Sequence, residues 1–163
     1  DHVYWQADHS PEGWKMKPSA GPNKGISSIW TPKQYCAEIQ RANSRLQEIT
    51  GKKPLSLFRA PGGKTSPSLL AAAKQCGFGH VGWADAGFLG DELSSEKFPN
   101  AQLLQNALRK IKEGDILMAH LGIWSRKDPW APAVLEPLIE GLKSKGLCFA
   151  TLQEHPQFAA WTR

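Results

Sequence analysis

Helical and strand-like segments alternate along most of this chain, and that order restricts the folds available to it. Between residues 31 and 154 the sequence predicts four amphipathic helices, each followed by a short apolar run. Such an order with short connections predicts right-handed βαβ units around a parallel sheet, either open or closed into a barrel. In both architectures the chemistry gathers at the C-terminal ends of the strands. We therefore expect an α/β protein whose site residues follow its strands.

The predicted helices begin and end at recognisable residues. Thr31 can cap the first helix in a capping box, and Gly51 ends it. The apolar face of this helix comprises Tyr35, Ile39, Ala42, Leu46 and Ile49. The other predicted elements are a strand at 55–59, a helix at 66–76, a strand at 79–84, a helix at 101–112, a buried strand at 115–120, a helix from Leu135 to Gly146, and a strand at 147–152. We interpret residues 1–30, with three Trp among Pro and Gly, as a long ordered loop.

The composition suits one globular domain. Of the 163 residues 40% are hydrophobic, which is enough for a core. The chain has no run of about 18 apolar residues and no opening signal segment, so no membrane span is predicted. The formal charge of +5 is scattered rather than clustered. We expect a solvated basic surface and no nucleic-acid partner.

Three cysteines are spaced without a recognised pattern. Cys36, Cys76 and Cys148 fit neither a CxxC metal motif nor an even-numbered disulfide framework. Cys36 falls in a helical pattern and Cys148 in an apolar run. We expect these cysteines to be buried small side chains.

Three side chains suited to catalysis lie at predicted strand ends or one step beyond. They are Arg59, Asp85 and His120. Acid–base chemistry needs a titrating imidazole, a carboxylate that orients it and a cation that organises other charges. Each residue alone has an ordinary structural interpretation, but their common position favours a catalytic site. Five tryptophans in predicted loops suit the CH faces of a sugar or, equally, local hydrophobic packing: Trp5, Trp14, Trp30, Trp124 and Trp130.

Five segments in order, covering roughly Thr31 to Glu154, carry a resemblance to a known family. The most informative are Phe58-Arg59-Ala60-Pro61-Gly62-Gly63 and Gly114-Asp115-Ile116-Leu117-Met118-Ala119-His120. The others are the helix that ends in Thr50-Gly51-Lys52-Lys53-Pro54, the run at 76–83, and the helix and strand at 142–152. Together they resemble the polysaccharide deacetylase family, the family 4 carbohydrate esterases, including its Arg-x-Pro and Leu-x-His motifs.

The resemblance implies a fold and a reaction. The fold is a distorted (β/α) barrel, and residues 1–163 would be its C-terminal portion, a catalytic domain incomplete at the N-terminus. The reaction is hydrolysis of acetyl groups, N-acetyl above all, on a polysaccharide or related glycan with a divalent metal, commonly zinc. Glycan-directed members act in the periplasm, after secretion or at the cell surface, and the resemblance implies the same location here.

The resemblance also implies residue roles. Arg59 would orient an aspartate base, His120 would protonate the leaving amine as general acid, and Asp85 would tune that imidazole. Asp91 is the alternative to Asp85, because the family's usual Asp-Trp pair is absent here. Met118 would line the pocket for the acetyl methyl group. The other expected substrate contacts are Pro61, Gly62, Trp83 and Trp124.

The implied metal site is incomplete in this sequence. The family holds its metal with one Asp and two His of a His-x-x-x-His motif, and the Asp-Asp pair and the first His have no counterpart here. His2 is the expected metal ligand, with His9 as the competitor. A catalytic metal needs about three protein ligands plus an open position. We therefore expect this chain alone to be inactive and to need the missing N-terminal segment of the same domain.

Two other functions compete with the enzyme. A non-catalytic glycan-binding domain of the same fold would use the same groove and its tryptophans, with affinity but no product. A nucleotide-binding α/β domain is disfavoured, because no Gly-x-Gly-x-x-Gly follows a strand and the run at 61–65 lacks the first glycine of a phosphate loop.

Overall fold

The computed structural model describes residues 2–9, 13–120 and 126–162, so the predicted substrate contact Trp124 lies outside the described residues. The chain divides into two compact units. The first comprises Asp1–Gly82 and Thr151–Arg163, and the second comprises Trp83–Ala150. Within the described residues, every helix is too short or too polar to cross a membrane.

The first unit opens with an antiparallel sheet instead of the predicted loop. Strands β1 (Val3–Asp8), β2 (Trp14–Pro18) and β3 (Ser28–Trp30) pair in that order. Along β2, buried and exposed residues alternate, and Trp14 and Met16 reach the core. The loop prediction was wrong because the Pro and Gly residues that the structure describes here lie in turns and at strand ends, where they do not interrupt pairing.

Helix α1 (Pro32–Thr50) begins and ends as predicted. Thr31 caps it in a complete capping box, and Gly51 ends it in the left-handed conformation with φ of 67°. The predicted apolar face is only partly covered, since Tyr35 and Ile39 are the residues it buries. The beginning of α1 therefore anchors the helix to the core of the first unit.

A parallel strand pair follows α1. Strands β4 (Leu57–Phe58) and β5 (Gly79–His80) pair in parallel, and helix α2 (Pro67–Gln75) connects them. This βαβ unit is the parallel arrangement that the alternation predicted, although both strands are shorter than expected. The sheets of the described residues have three and two strands, and neither closes into a barrel.

A disulfide joins α1 to the end of α2. Cys36 and Cys76 are bonded, with Cα atoms 5.9 Å apart, inside the usual range for a disulfide. The expectation of unpaired thiols was wrong here, because only the packing of the two helices brings together cysteines 40 positions apart. Cys148 is free, but it is exposed rather than buried.

The second unit is built on helices α3 (Asn100–Lys110) and α4 (Leu135–Ser144), as predicted. They share a core that includes Leu103, Trp130 and Leu138. The strands predicted at 115–120 and 147–152 are not regular strands; the former contributes only one parallel bridge, from Met118 to Phe88. Short 3-10 turns complete the two units at Pro61–Gly63, Asp85–Gly87 and Pro156–Trp161.

Candidate functional site

The loop after β4 carries Arg59 and packs against the first strand. Arg59 is exposed, and Ala60 beside it is buried. Pro61 opens the 3-10 turn, in which Gly62 has φ of 62°, and a Cβ on Gly62 would lie 2.6 Å from the ring of Tyr4. Glycine alone accommodates both this backbone and this contact. The turn is thus shaped by its packing on Tyr4, and contact of Pro61 and Gly62 with substrate stays a prediction.

A pocket of about 340 Å³ opens beside Arg59 within the first unit. Its walls include the aromatic rings of Trp5 and Trp30, and charged groups of both signs reach it from Glu38, Arg59 and Lys64. Apolar walls with a few converging polar groups are typical of small-ligand sites. Such a pocket suits a sugar, which presents CH faces and hydroxyl groups together.

His2 is exposed and lies just before β1. Its Nδ1 is 2.7 Å from the Oγ of Ser19, and its ring meets Tyr4 edge-on with centroids 4.9 Å apart. The backbone N–H of Ser19 donates to the His2 carbonyl at 2.8 Å. A hydrogen bond at Nδ1 orients an imidazole, as it does for histidines that bind metals through the other nitrogen.

The described residues do not by themselves fit a catalytic metal. His9 lies at the opposite end of β1 from His2, and the two histidines are about 20 Å apart at roughly 3.3 Å per residue. Among residues 2–9, 13–120 and 126–162, no group of three His, Cys, Asp or Glu side chains is placed to hold a metal ion. Because such a metal needs about three protein ligands, His2 stays a predicted single ligand.

His120 lies against a buried carboxylate in the second unit. Asp91 is fully buried, with Oδ1 3.4 Å and Oδ2 3.3 Å from the Nδ1 of His120. The backbone N–H of His120 also donates to Asp91 Oδ2. The His120 ring keeps 28% of its surface exposed. A carboxylate at Nδ1 orients an imidazole so that Nε2 exchanges the proton, which is the arrangement of a general acid or base.

The geometry favours Asp91 over Asp85 as the partner of His120. Asp85 is exposed at the first position of its 3-10 turn, whereas Asp91 makes the contact. Sequence reasoning missed Glu92, whose Oε2 lies 3.9 Å from the Nε2 of His120. The sequence signal for Glu92 was its position next to Asp91, directly after Gly90. Because an irregular loop has no periodicity, the sequence does not predict which of these two side chains faces the histidine.

Met118 is buried two residues before His120. Its backbone N–H donates to the Gly87 carbonyl at 2.9 Å. A Cβ on Gly87 would lie 2.0 Å from the carbonyl oxygen of Ile116, so this close approach of the two segments requires glycine. Trp83 begins the same unit and is half-buried. Contact of Met118 and Trp83 with substrate stays a prediction.

Part of the chain matches one protein family, and its fold is similar to that of several solved structures. Residues 9–81 match the family described as polysaccharide deacetylase. No curated protein matches the chain. A family 4 carbohydrate esterase from Streptomyces lividans, solved in complex with acetate, is similar with a TM-score of 0.60 and 23% identity, over 77% of this chain and 60% of that chain.

A family 4 pseudoenzyme from Bacillus anthracis is also similar, with a TM-score of 0.56 and 20% identity, over 72% of this chain and 37% of that chain. A mutant of a pseudoenzyme of this family with restored enzymatic activity gives a TM-score of 0.56 and 21% identity, over 72% of this chain and 39% of that chain. The chain thus spans 60% or less of the length of these solved structures, and at these identities the likeness shows the fold.

Proposed function

We propose that the protein hydrolyses acetyl groups, N-acetyl in the first place, on a polysaccharide or related glycan; the match of residues 9–81 to the polysaccharide deacetylase family supports this proposal. The observation that carries the proposal is the contact of His120 with the buried carboxylate of Asp91. That pair supplies the proton that an amine leaving group needs.

His120 acts as general acid in the proposed reaction. Water adds to the acetyl carbonyl carbon as the carboxylate base that Arg59 would orient takes its proton, and the resulting tetrahedral intermediate collapses with cleavage of the C–N bond. The departing nitrogen takes the proton from Nε2 of His120, which leaves a free amine on the sugar and acetate as the second product. Asp91 stabilises the imidazolium form before the transfer and keeps the ring oriented during it.

Residues of the first unit are proposed to bind rather than to transfer protons. Arg59 would orient the carboxylate base, and the pocket beside it would receive a sugar ring against its aromatic walls. His2 would be one ligand of a divalent metal, commonly zinc in this family, whose other ligands come from outside the described residues. Its Nδ1 contact with Ser19 supports that role, because it fixes the ring.

The disulfide supports an extracytoplasmic location. Bonds such as Cys36–Cys76 form and persist in oxidising compartments and are rare in the cytosol. We therefore propose that the protein works in the periplasm, after secretion or at the cell surface, where polysaccharide substrates are also found.

A non-catalytic glycan-binding role is the second candidate. It is favoured by one observation: the described residues place no three metal ligands together. A domain of this kind would keep the pocket and bind glycans without releasing acetate.

Acetate release from an acetylated chito-oligosaccharide in the presence of Zn²⁺ separates the two candidates. It is measured with a protein that includes the N-terminal segment proposed to supply the other metal ligands, since we expect residues 1–163 alone to release no acetate. We expect release by the wild type and a loss of about 100-fold or more in His120→Asn, the usual size of a general-acid contribution. Asp85→Asn is the control, because that carboxylate is exposed, and it should retain activity. Measurable affinity for the oligosaccharide with no acetate released would contradict the proposed enzymatic function and support the glycan-binding role.

A further inference from the structure

Arg126 is a buried cation of the second unit whose donors reach the 93–100 segment and the neighbouring Asp128. Its side chain is 1% exposed. Nη1 donates to the Leu93 carbonyl at 2.5 Å, and Nη2 donates to the Phe98 carbonyl at 3.1 Å and to Asn100 Oδ1 at 2.9 Å. Nη2 also meets Asp128 Oδ1 at 2.9 Å, and Nε donates to the Asp128 carbonyl at 3.1 Å.

This arrangement explains how a guanidinium can be buried at all. An unpaired buried charge costs several kcal/mol, so it is tolerated only where its hydrogen bonds are made and its charge is balanced. Here carbonyl and amide oxygens accept hydrogen bonds from most of the N–H groups of Arg126, and the carboxylate of Asp128 balances its charge. Lysine has a single nitrogen and cannot reach acceptors spread in this way, whereas the planar fork of arginine can.

The segment that Arg126 holds carries Asp91. The backbone N–H of Leu93 donates to the Gly90 carbonyl at 3.0 Å, which closes a tight turn with Asp91 and Glu92 at its centre. Gly90 has φ of 73°, so the turn enters through a left-handed residue. The carbonyl of Leu93, at the end of this turn, is the one bound by Arg126 Nη1.

We propose that Arg126 is a positioning residue for the His120–Asp91 pair: by binding the end of the 90–93 turn, it holds the Asp91 carboxylate against Nδ1 of His120. The catalytic consequence rests on the proposed deacetylase function, but the positioning itself does not. Arg126 touches neither the imidazole nor the carboxylate in the contacts above and acts through the backbone of the turn.

The tautomer of His120 reports this positioning directly. While Asp91 accepts a hydrogen bond from Nδ1–H, the neutral imidazole carries its proton on Nδ1. If the turn moves and the contact is lost, the ring is released to the other tautomer. Two-bond ¹H–¹⁵N spectra of the imidazoles in the full chain distinguish the two forms, and His120→Gln identifies the His120 signal.

Arg126→Lys is the main variant, and Asn100→Ala, which removes one acceptor and leaves the guanidinium, is the milder one. We expect a shift of His120 toward the Nε2–H tautomer in Arg126→Lys and a smaller shift in the same direction in Asn100→Ala. Leu138→Ala is the matched control, because it opens the buried core of the same unit without removing any of the hydrogen-bonding groups of Arg126, Asp91 or His120. Its His120 signals should stay as in the wild type despite an equal or greater loss of stability.

Wild-type His120 signals in a folded Arg126→Lys variant would overturn the proposal, and so would an equal shift in Leu138→Ala. If Arg126→Lys does not fold, the His120 signals of Asn100→Ala test the proposal instead, and wild-type signals in that variant would overturn it. With the N-terminal segment present and an acetylated oligosaccharide as substrate, we further expect kcat of Arg126→Lys to fall about tenfold with KM within about twofold. A tautomer shift in a protein that releases no acetate would uphold the positioning and refute the proposed function.

Discussion

The carboxylate of Asp91 binds His120 twice, at the backbone N–H and at Nδ1 of the ring. The carboxylate that makes both contacts is fully buried. The imidazole is therefore fixed in position and in tautomer by a residue that solvent does not reach. The functional interpretation of Arg126 and of the turn at 90–93 depends on this contact.

Replacement of Asp91 by asparagine should abolish most of the activity. An amide replaces one acceptor oxygen with an N–H donor, which weakens the acceptance from His120, and it carries no charge to balance the imidazolium. We expect Asp91→Asn to lower kcat about 100-fold, within the range of general acid–base contributions, with little change in KM. Steady-state acetate release checks this. Asp85→Asn should stay within about threefold of the wild type, and the reverse order of the two variants would assign the role to Asp85.

Loss of the disulfide should destabilise the first unit. The bond closes a loop between cysteines 40 positions apart, for which the chain-entropy estimate is about 4 kcal/mol. We expect the Cys36→Ser, Cys76→Ser double variant to unfold at a clearly lower urea concentration than the oxidised wild type, with a loss of about 2–4 kcal/mol. Cys148→Ser is the control because that thiol is exposed and unbonded. An unchanged midpoint after full reduction of the wild type would contradict the prediction.

Acid should destabilise the protein through His80. Burial lowers the pKa of this imidazole from its ordinary value of 6.5, and its Nε2 is buried without a hydrogen-bond partner among the described residues. The folded state therefore disfavours the proton that the unfolded chain accepts, so this contribution to stability is present above pH 6.5 and is lost as the pH falls below it.

Urea unfolding of the wild type at pH 7.5 and pH 5.5 tests this contribution. We expect a lower free energy of unfolding at about pH 5.5, and a smaller difference in His80→Phe, which keeps an aromatic ring beside Phe58. His155→Gln, which removes a histidine outside the β4–β5 pair, is the control and should retain the wild-type difference. A His80→Phe variant with an undiminished difference would show that other groups titrate.

Local signals in the sequence predicted the helices well, because helix ends are encoded by neighbouring residues. Thr31 and Gly51 bound α1 as expected, and Ser66 caps α2 through its side chain. The opening sheet was missed for the opposite reason: the pairing of Trp14 with Trp30 joins residues that no local rule connects. Short strands between prolines and glycines look like a loop until their partners are known.

The residues of the candidate site also differ in whether local sequence signals indicate them. Arg59 and His120 could be proposed from the sequence because each follows a strand-like run within a recognisable motif. Asp91, Glu92 and Arg126 depend on an irregular segment folded back on itself, and their contacts join residues 28 to 33 positions apart. Only the three-dimensional structure reveals such contacts.

The close approach behind Met118 gives the last prediction. A Cβ on Gly87 would lie 2.0 Å from the backbone oxygen of Ile116, and backbone atoms cannot move aside as a flexible side chain would. We expect Gly87→Ala to cost about 2 kcal/mol or more, since overpacking costs typically 1–3 kcal/mol and here the segments must separate.

Gly82→Ala is the matched control for that variant. A Cβ at Gly82 would meet only a His80 carbon at 3.9 Å, an ordinary contact, so we expect a change within about 0.5 kcal/mol. Thermal and urea unfolding of both variants measure the difference. Because separation of the 84–88 and 116–118 segments would also move the chain that leads into His120, Gly87→Ala should lose acetate release in addition to stability. Equal stability of the two alanine variants would mean that the segments lie farther apart than the contact of Gly87 with Ile116 requires.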